Sequence, residues 1–166
     1  DPEKYVVLYV SENNLTPRLL YGIPLDMLGY KPKYNVKDSR KMFQNAIQAE
    51  VTLRHKKVVL IVDEAHLVCA NKRYETLQEI RFLLNNNCDS DNNIALILAG
   101  QNELWDLLGV EKYRAITQRI NFVCKLHPLT TDEVFDYISA HMRYSKAPDS
   151  IFTTESINLI AAHSKG

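Results

Sequence analysis

The sequence predicts an α/β fold in which a mainly parallel β-sheet is covered by helices on both faces. Two unbroken apolar runs, residues 58–62 and 94–98, are short and rich in branched side chains, as strands buried on both faces are. Segments with apolar residues at helical spacing lie between such runs. Strands that alternate with helices form parallel sheets, because each parallel connection needs a crossover.

The first elements are marked by local signals. Residues 5–10 predict a first strand, which a polar loop follows. Thr16 and Pro17 predict a helix start, with Thr16 as N-cap and Pro17 at the first helical position. We expect Pro24 to bend or interrupt this helix and Gly29 to end it.

The rest of the chain continues the alternation. A second helix is predicted to begin at Asp38 or Ser39 and to lead into the strand at residues 58–62. Apolar residues at helical spacing predict helices at residues 74–84, 103–108, 111–117, 130–143 and 153–163. Short apolar runs predict strands at 94–98 and 122–126. Because no strand follows the last two helices, we expect them to form a small helical lid.

The composition is typical of a globular protein and excludes few functions. Lys and Arg total 20, and Asp and Glu also total 20, so the net charge does not demand nucleic acid. No apolar run approaches the roughly 18 residues that a membrane span needs, and the start has no signal-peptide pattern. The three cysteines form no Cys-x-x-Cys pair, which argues against a metal site or a disulfide framework. A cytoplasmic location is expected.

Two adjacent carboxylates, Asp63 and Glu64, directly follow the apolar run at residues 58–62. Ligands of open α/β sheets bind beyond the carboxyl ends of such strands. Carboxylates in that place suit Mg²⁺ binding and the activation of a water, which is the Walker B arrangement of P-loop ATPases. The alternative is that Asp63 only caps a following helix.

A series of further patterns follows these carboxylates in order. They are TLQEIRFLLN (76–85), ILAGQNEL (97–104), RAITQRI (114–120), LHPLTTDEV (126–134) with YI (137–138), and IFTTESI (151–157). The ordered series resembles the AAA+ ATPases of the secretion-pathway-protein-A-like and transposon ATP-binding class. The resemblance extends from residue 5 to residue 166. It implies a P-loop NTPase (AAA+) core at residues 1–129 and a partial helical lid at residues 130–166.

The resemblance also implies residue roles and the cofactors ATP and Mg²⁺. Asp63 would act on the metal, and Glu64 would be the catalytic glutamate that activates water. Gln101 would be sensor 1, a polar group that reaches toward the γ-phosphate. Arg119 would be an arginine finger that acts on the nucleotide of a neighbouring subunit, with Arg114 as the weaker candidate. A homo-oligomer is implied only through this finger.

Each of these residues also has a purely structural interpretation. Gln101 would then cap the helix that begins near residue 103, and Arg119 would form an ordinary surface ion pair. His66 is expected to pack beside the site rather than to bind a metal. Residues 89–93 imitate part of a calcium loop, but the glycine and the glutamate that such a loop requires are missing from their positions.

The resemblance has gaps. None of the five glycines belongs to a G-x-x-x-x-G-K-[ST] pattern, and the family's sensor 2 segment is not reached. The chain is therefore expected to be a fragment, incomplete at the N-terminus and cut before sensor 2 at the C-terminus, that binds ATP poorly by itself. In AAA+ proteins the strand before the P-loop lies between those corresponding to residues 94–98 and 122–126. Without it, the segment 122–126 would pair directly with 94–98, pair with another molecule or stay unpaired.

The function implied by the resemblance is an ATPase of a DNA transposition protein, which assembles on double-stranded DNA and regulates a transposase. Phosphate contacts would come from five basic residues, unless these are ordinary solvated charges: Lys56, Lys57, Lys72, Arg73 and Arg81. Two alternatives stay open. One is an AAA+ ATPase of a secretion-pathway assembly system, and the other is a scaffold without catalysis.

Overall fold

In the described residues, one parallel sheet contains the three strands β1 (Tyr5–Ser11), β2 (Lys57–Asp63) and β3 (Ile94–Leu98) in the order β1-β2-β3. The register pairs Leu8 with Leu60 and Leu60 with Leu96, so these three residues lie side by side across the sheet. The carboxyl ends of β1 and β2 coincide, because Ser11 is the partner of Asp63. The predicted α/β fold with a parallel sheet flanked by helices is confirmed.

The computed structural model describes residues 1–70, 74–85, 94–148 and 151–164. Lys72, Arg73, Cys88 and the loop 89–93, which the sequence analysis singled out, lie outside the described residues. The chain divides into two compact units, Asp1–Asn121 and Phe122–Gly166. The domain boundary expected after residue 129 stays a prediction.

The first unit contains six α-helices in its described residues. They are α1 (Pro17–Met27), α2 (Val36–Thr52), α3 (Ala65–Ala70), α4 (Tyr74–Asn85), α5 (Glu103–Leu108) and α6 (Arg114–Thr117), with a 3₁₀ turn at Glu111–Tyr113 before α6. Thr16 caps α1 as predicted, since its side chain accepts a hydrogen bond from the Leu19 N–H at 3.3 Å. The helix runs through Pro24 without interruption.

The predicted start of α2 is wrong by two to three residues. Asn35 is the N-cap, and its Oδ1 accepts a hydrogen bond from the Lys37 N–H at 2.9 Å. Ser39 instead lies buried inside α2, where its hydroxyl donates to the Lys33 carbonyl at 2.9 Å. The sequence offers three polar residues that can cap a helix here, and the first of them does so.

The hydrophobic core lies on one face of the sheet. The alternating side chains of β1 and β2 on that face are at most 2% exposed: Leu8, Val10, Val58, Leu60 and Val62. Buried residues of α1, α2 and α4 join them, among them Tyr21, Phe43 and Ile80. The alternation of burial along the strands follows from the period of two residues in a β-strand.

The opposite face of the sheet carries apolar side chains that remain in contact with solvent. Val7 is 51% exposed, Tyr9 48% and Ile97 47%. Val7 and Tyr9 pair with Val59 and Ile61 of β2, which are only partly buried. The cover that we expected on this second face is therefore not seen for these side chains.

In its described residues the second unit begins with a segment without helix or strand, residues 122–130, and continues with the helices α7 (Thr131–Tyr144) and α8 (Thr154–Ser164). Thr130 and Glu133 form a reciprocal capping box at the start of α7, as the predicted Thr N-cap requires. The strand predicted at residues 122–126 is wrong, because this segment pairs with no strand in the described part of the chain. Phe122 and Leu126 are 93% and 94% exposed.

Candidate functional site

The candidate site lies at the carboxyl edge of the sheet, where β2 and β3 end side by side. The Ala99 N–H donates to the Val62 carbonyl at 2.9 Å, and the Ala65 N–H donates to the Ala99 carbonyl at 2.8 Å. These two hydrogen bonds continue the pairing of β2 and β3 beyond the regular strands. They bring the turn that contains Asp63 and Glu64 beside the turn that contains Gln101.

Two donors hold the carboxylate of Asp63. Its Oδ1 accepts a hydrogen bond from the Glu64 N–H at 2.8 Å, and its Oδ2 accepts one from the Tyr9 hydroxyl. The Tyr9 hydrogen bond, followed by that from Glu64, lowers the pKa of Asp63. The same hydrogen bond raises the pKa of Tyr9, because it stabilises the protonated phenol. Asp63 is thus an ionised, oriented carboxylate at neutral pH.

Tyr9 is a site residue that the sequence analysis missed. It lies on β1, two residues before Ser11, and its backbone is level with Ile61 in β2. The contact with Asp63 joins residues that are 54 positions apart. Only the relative register of the two strands creates it, and the sequence contains no local signal for that register.

Glu64 adopts the left-handed backbone conformation, with φ of 51°. This conformation costs a residue with a side chain about 1 kcal/mol or more, and such residues are concentrated at functional sites. The turn at Glu64 ends β2 and starts α3 one residue later. It places the Glu64 carboxylate beside His66, with Oε2 at 3.3 Å from Nδ1.

His66 connects this carboxylate to the neighbouring turn. Its Nδ1 also lies 3.4 Å from the backbone nitrogen of Gln101, which donates to it. The residue is buried, at 8% exposure. The expectation that His66 packs beside the site agrees with this placement. Three of the residues singled out in the sequence, Glu64, His66 and Gln101, are therefore brought together.

The side chain of Gln101 is exposed, and its contacts in the described residues give it no structural role. The N-cap of α5 is Asn102, and no side chain caps this fully described helix. Gln101 participates through its backbone, since its carbonyl accepts from the Leu104 N–H at 2.9 Å and its N–H donates to His66. The capping interpretation of Gln101 thus finds no contact, and its assignment as sensor 1 stays a prediction.

The two candidate finger residues lie on the surface around α6. Arg119 Nη1 donates to the Ala115 carbonyl at 2.6 Å, and Arg114 Nη1 lies 3.2 Å from Glu111 Oε1 in an exposed ion pair. Within the described ranges neither guanidinium forms a hydrogen bond or an ion pair with Asp63 or Glu64. Their predicted action is on a neighbouring subunit, so this placement leaves both assignments as predictions.

Lys57 lies at the opposite end of β2 from the carboxylates. Lys57 begins β2 and Asp63 ends it, so about 20 Å of strand separates them. Lys56 Nζ donates to the Pro2 carbonyl at 3.0 Å, and Arg81 is exposed on α4. A role of these residues in phosphate contacts stays a prediction.

The donor set around Asp63 fits a magnesium ion that is shared with phosphates. The described residues contain no cluster of three or more His, Cys, Asp or Glu that could enclose a metal. Mg²⁺ does not require such a cluster, since it commonly binds one or two carboxylates and completes its shell with water and substrate phosphates. Asp63 is the residue that would hold it, through an ionised oxygen at the sheet edge.

Comparisons with known proteins agree with this architecture. A family model described as AAA domain matches residues 2–108. General secretion pathway protein A of Aeromonas hydrophila is 25% identical over 167 residues, which cover 99% of this chain and 30% of that protein. The chain thus spans less than a third of the length of this relative.

Solved structures show the same fold. The ORC2 protein of Aeropyrum pernix in its ADP form is similar with a TM-score of 0.73 at 17% identity. The matched region covers 99% of this chain and 44% of the ORC2 chain. Cdc6p from Pyrobaculum aerophilum has a TM-score of 0.62 at 15% identity, covering 93% of this chain and 39% of its own. At these identities the likeness concerns the fold alone. Among the described residues, no helix has the length and apolar character to cross a membrane.

Proposed function

The chain belongs to the AAA domain family, and from this membership and the arrangement around Asp63 we propose that it is an ATP-binding and ATP-hydrolysing module. The observation that carries the proposal is the pair Asp63 and Glu64 at the carboxyl edge of a parallel sheet, with Asp63 ionised and oriented. Ligands of open α/β sheets bind at this edge.

In this proposal each site residue has one task. Asp63 would hold Mg²⁺ through a carboxylate oxygen, and the ion would supply positive charge to the phosphate oxygens of ATP. Glu64 orients the attacking water and accepts its proton. Gln101 reaches toward the γ-phosphate from the end of β3. Arg119 stabilises developing charge in the site of a neighbouring subunit.

The cellular process that ATP hydrolysis serves is a separate question. Similarity to general secretion pathway protein A along 99% of the chain favours a role in a secretion-pathway assembly system. The alternative is a DNA transposition protein that assembles on double-stranded DNA and regulates a transposase. Its support is the resemblance in sequence to the transposon ATP-binding members of the AAA+ ATPases, to which the comparisons add nothing. We therefore rank the secretion role first.

The test is ATP hydrolysis by the full-length protein with and without double-stranded DNA. Glu64→Gln should lower kcat by about 10²-fold to 10⁴-fold, because the amide cannot accept a proton. The control is Glu3→Gln, which makes the same change of charge just before β1 begins, at the end of the sheet away from Glu64. This variant should leave kcat unchanged. Equal activity of Glu64→Gln and wild type would refute the role of Glu64.

DNA separates the two finer roles. Stimulation of hydrolysis by double-stranded DNA would favour the transposition role over the secretion role. Indifference to DNA would keep the secretion role in first place. A full-length wild-type protein without any ATP hydrolysis would leave the third interpretation, a scaffold without catalysis.

A further inference from the structure

One nitrogen of His66 serves two partners at the candidate site. Nδ1 lies 3.3 Å from Glu64 Oε2 and 3.4 Å from the Gln101 backbone nitrogen. An imidazole nitrogen carries either a proton or a lone pair in the ring plane, so it donates or accepts but does not do both. A proton on Nδ1 favours Glu64, and a lone pair favours the N–H of Gln101. Both distances are long for hydrogen bonds, as expected of a shared atom.

The imidazole of His66 is closely surrounded, so it has little room to turn away from both partners. The residue is 8% exposed and follows the left-handed turn at Glu64. Gly100 lies directly against it: a Cβ added to Gly100 would be 3.2 Å from both the backbone nitrogen and Nδ1 of His66. A Cβ at that distance is closer than an ordinary contact, so a side chain at position 100 would press on His66 and force the turn or the imidazole to shift.

We propose that His66 is a positioning residue whose Nδ1 alternates between the Glu64 carboxylate and the Gln101 N–H. In one state Nδ1 carries the single ring proton and donates a hydrogen bond to Glu64. In the other state that proton is on Nε2, and the Nδ1 lone pair accepts from the Gln101 N–H. The position of the turn at Gly100 and Gln101 then determines whether the carboxylate of Glu64 is held by His66 or is free to act on water. The inference rests on the proposed ATPase function for its consequence. The contact that it describes exists independently of catalysis.

The first experiment locates the Nδ1 proton. The full-length protein is labelled with ¹⁵N-histidine, and the His66 resonances are assigned by their loss in His66→Asn. Glu64→Gln removes the negative charge that favours a proton on Nδ1, so the Nδ1 resonance should shift toward the position of an unprotonated nitrogen. Gly100→Ala keeps both partners and displaces the turn, and should also shift this resonance. An Nδ1 resonance that is identical in wild type and both variants would overturn the proposal.

The second experiment measures ATP hydrolysis by His66 variants of the full-length protein. His66→Leu should lower kcat by about 10-fold to 100-fold, the range for residues that orient a reacting group, and change KM for ATP by less than about threefold. His66→Asn places an amide near the position of Nδ1 and should recover part of the loss. A wild-type kcat in His66→Leu, or a raised KM with an unchanged kcat, would contradict a positioning role.

Gly100→Ala provides a second route if His66→Leu fails to fold, since it retains the imidazole and should lower kcat in the same direction. The two experiments also separate the proposals. Wild-type protein without ATP hydrolysis would refute the proposed function, while the Nδ1 resonance would still decide whether His66 exchanges partners. Hydrolysis by the wild type with no effect in either variant would refute only the role of His66.

Discussion

At Asp63 a phenol and a backbone amide share the two oxygens of one carboxylate. The Tyr9 hydroxyl holds the carboxylate from the strand next to its own, so β1 orients a residue of β2. Each oxygen keeps a second lone pair, which leaves Asp63 able to bind a cation as well. An oriented carboxylate loses less conformational freedom on binding a metal than a mobile one. This is the physical advantage that Tyr9 gives to the proposed magnesium site.

Removal of the Tyr9 hydroxyl should raise the pKa of Asp63 toward its ordinary value. Carboxyl ¹³C chemical shifts of Asp63 across a pH titration measure this in Tyr9→Phe. Tyr5→Phe is the matched control, since Tyr5 lies on the same face of β1 at the other end of the strand. A titration midpoint of Asp63 that is the same in Tyr9→Phe and in the control would show that the phenol does not act on the carboxylate.

The same variant predicts a pH dependence of stability. The depressed pKa of Asp63 means that its hydrogen bond adds stability above the ordinary pKa of about 3.9, and this is lost as the pH falls through the folded value. The raised pKa of Tyr9 means that its share is present below about pH 10 and lost as the pH rises through the folded value. Tyr9→Phe should therefore lower Tm between about pH 4 and 10, and the difference should shrink outside that window.

Residue-level features were predictable from the sequence where they are local. Asp63 and Glu64 were recognisable because the apolar strand that precedes them is a local pattern. The hydrogen bond from Tyr9 and the contact between His66 and Gln101 were not, because each joins different segments through strand register. A residue's role is easier to predict from the sequence when it depends on sequence neighbours than when it depends on residues that are close only in space.

At the scale of elements, a polar network inside the first unit joins three helices. Arg40 of α2 forms an ion pair with Glu79 of α4 through Nη2 and Oε1, and the Tyr21 hydroxyl of α1 donates to Glu79 Oε2 at 2.8 Å. Arg40 also lies over the ring of Phe82, 4.3 Å from its centre. Burial, followed by the bond to Glu79, raises the pKa of Tyr21, so its hydroxyl stays protonated.

Loss of Arg40 should destabilise the protein because it leaves the Glu79 carboxylate without its cation. The two side chains are 23% and 14% exposed, so solvent replaces the lost partner only in part. We expect Arg40→Met to lower the free energy of unfolding by about 1–3 kcal/mol, measured by urea denaturation. The exposed Arg81 of α4 offers the control, and Arg81→Met should change stability by less than about 0.5 kcal/mol.

The double variant distinguishes a charge effect from a packing effect. Arg40→Met/Glu79→Gln removes the unpaired charge and keeps an acceptor for Tyr21, so it should be more stable than Arg40→Met alone. If the double variant is as unstable as the sum of the two single variants, the ion pair adds nothing beyond its separate parts. The Nε of Arg40 is buried without a hydrogen-bond partner in the described residues, and the guanidinium packs over Phe82, so Arg40 contributes packing as well as charge.

Element boundaries show where sequence reasoning succeeds and where it fails. Thr16 and Thr130 were predicted as N-caps correctly, because a cap satisfies backbone N–H groups two or three residues away. The segment 122–126 has the composition of a strand, but a strand forms only when another strand supplies its hydrogen bonds. In the described residues no strand pairs with it, and its side chains Phe122 and Leu126 are exposed.

At the scale of the whole molecule, the proposed finger makes catalysis a property of an assembly. Arg119 is exposed, and its guanidinium contacts only the Ala115 carbonyl among the hydrogen bonds of the described residues. An exposed guanidinium of this kind is free to enter the site of another copy, where it would stabilise charge on the transferred phosphoryl group. Arg114 is engaged with Glu111, which makes it the weaker candidate.

A mixing experiment with the full-length protein tests action between subunits. Arg119→Ala alone should lower kcat by about 10³-fold or more, and Glu64→Gln alone should be nearly inactive. When the two variants are mixed, the Glu64→Gln subunits retain Arg119 and the Arg119→Ala subunits retain Glu64. Sites that combine an intact Glu64 with a neighbour's Arg119 should then recover a fraction of wild-type hydrolysis, increasing with protein concentration.

Arg114→Ala serves as the control for the choice between the two arginines, and should keep most of its activity. Recovery in mixtures of Glu64→Gln with Arg114→Ala, but not with Arg119→Ala, would transfer the finger role to Arg114. No recovery in either mixture, with each variant folded and able to bind ATP, would mean that neither arginine acts across subunits. The inference of a homo-oligomer would then lose its basis, because it depends entirely on a residue that completes the site of another copy.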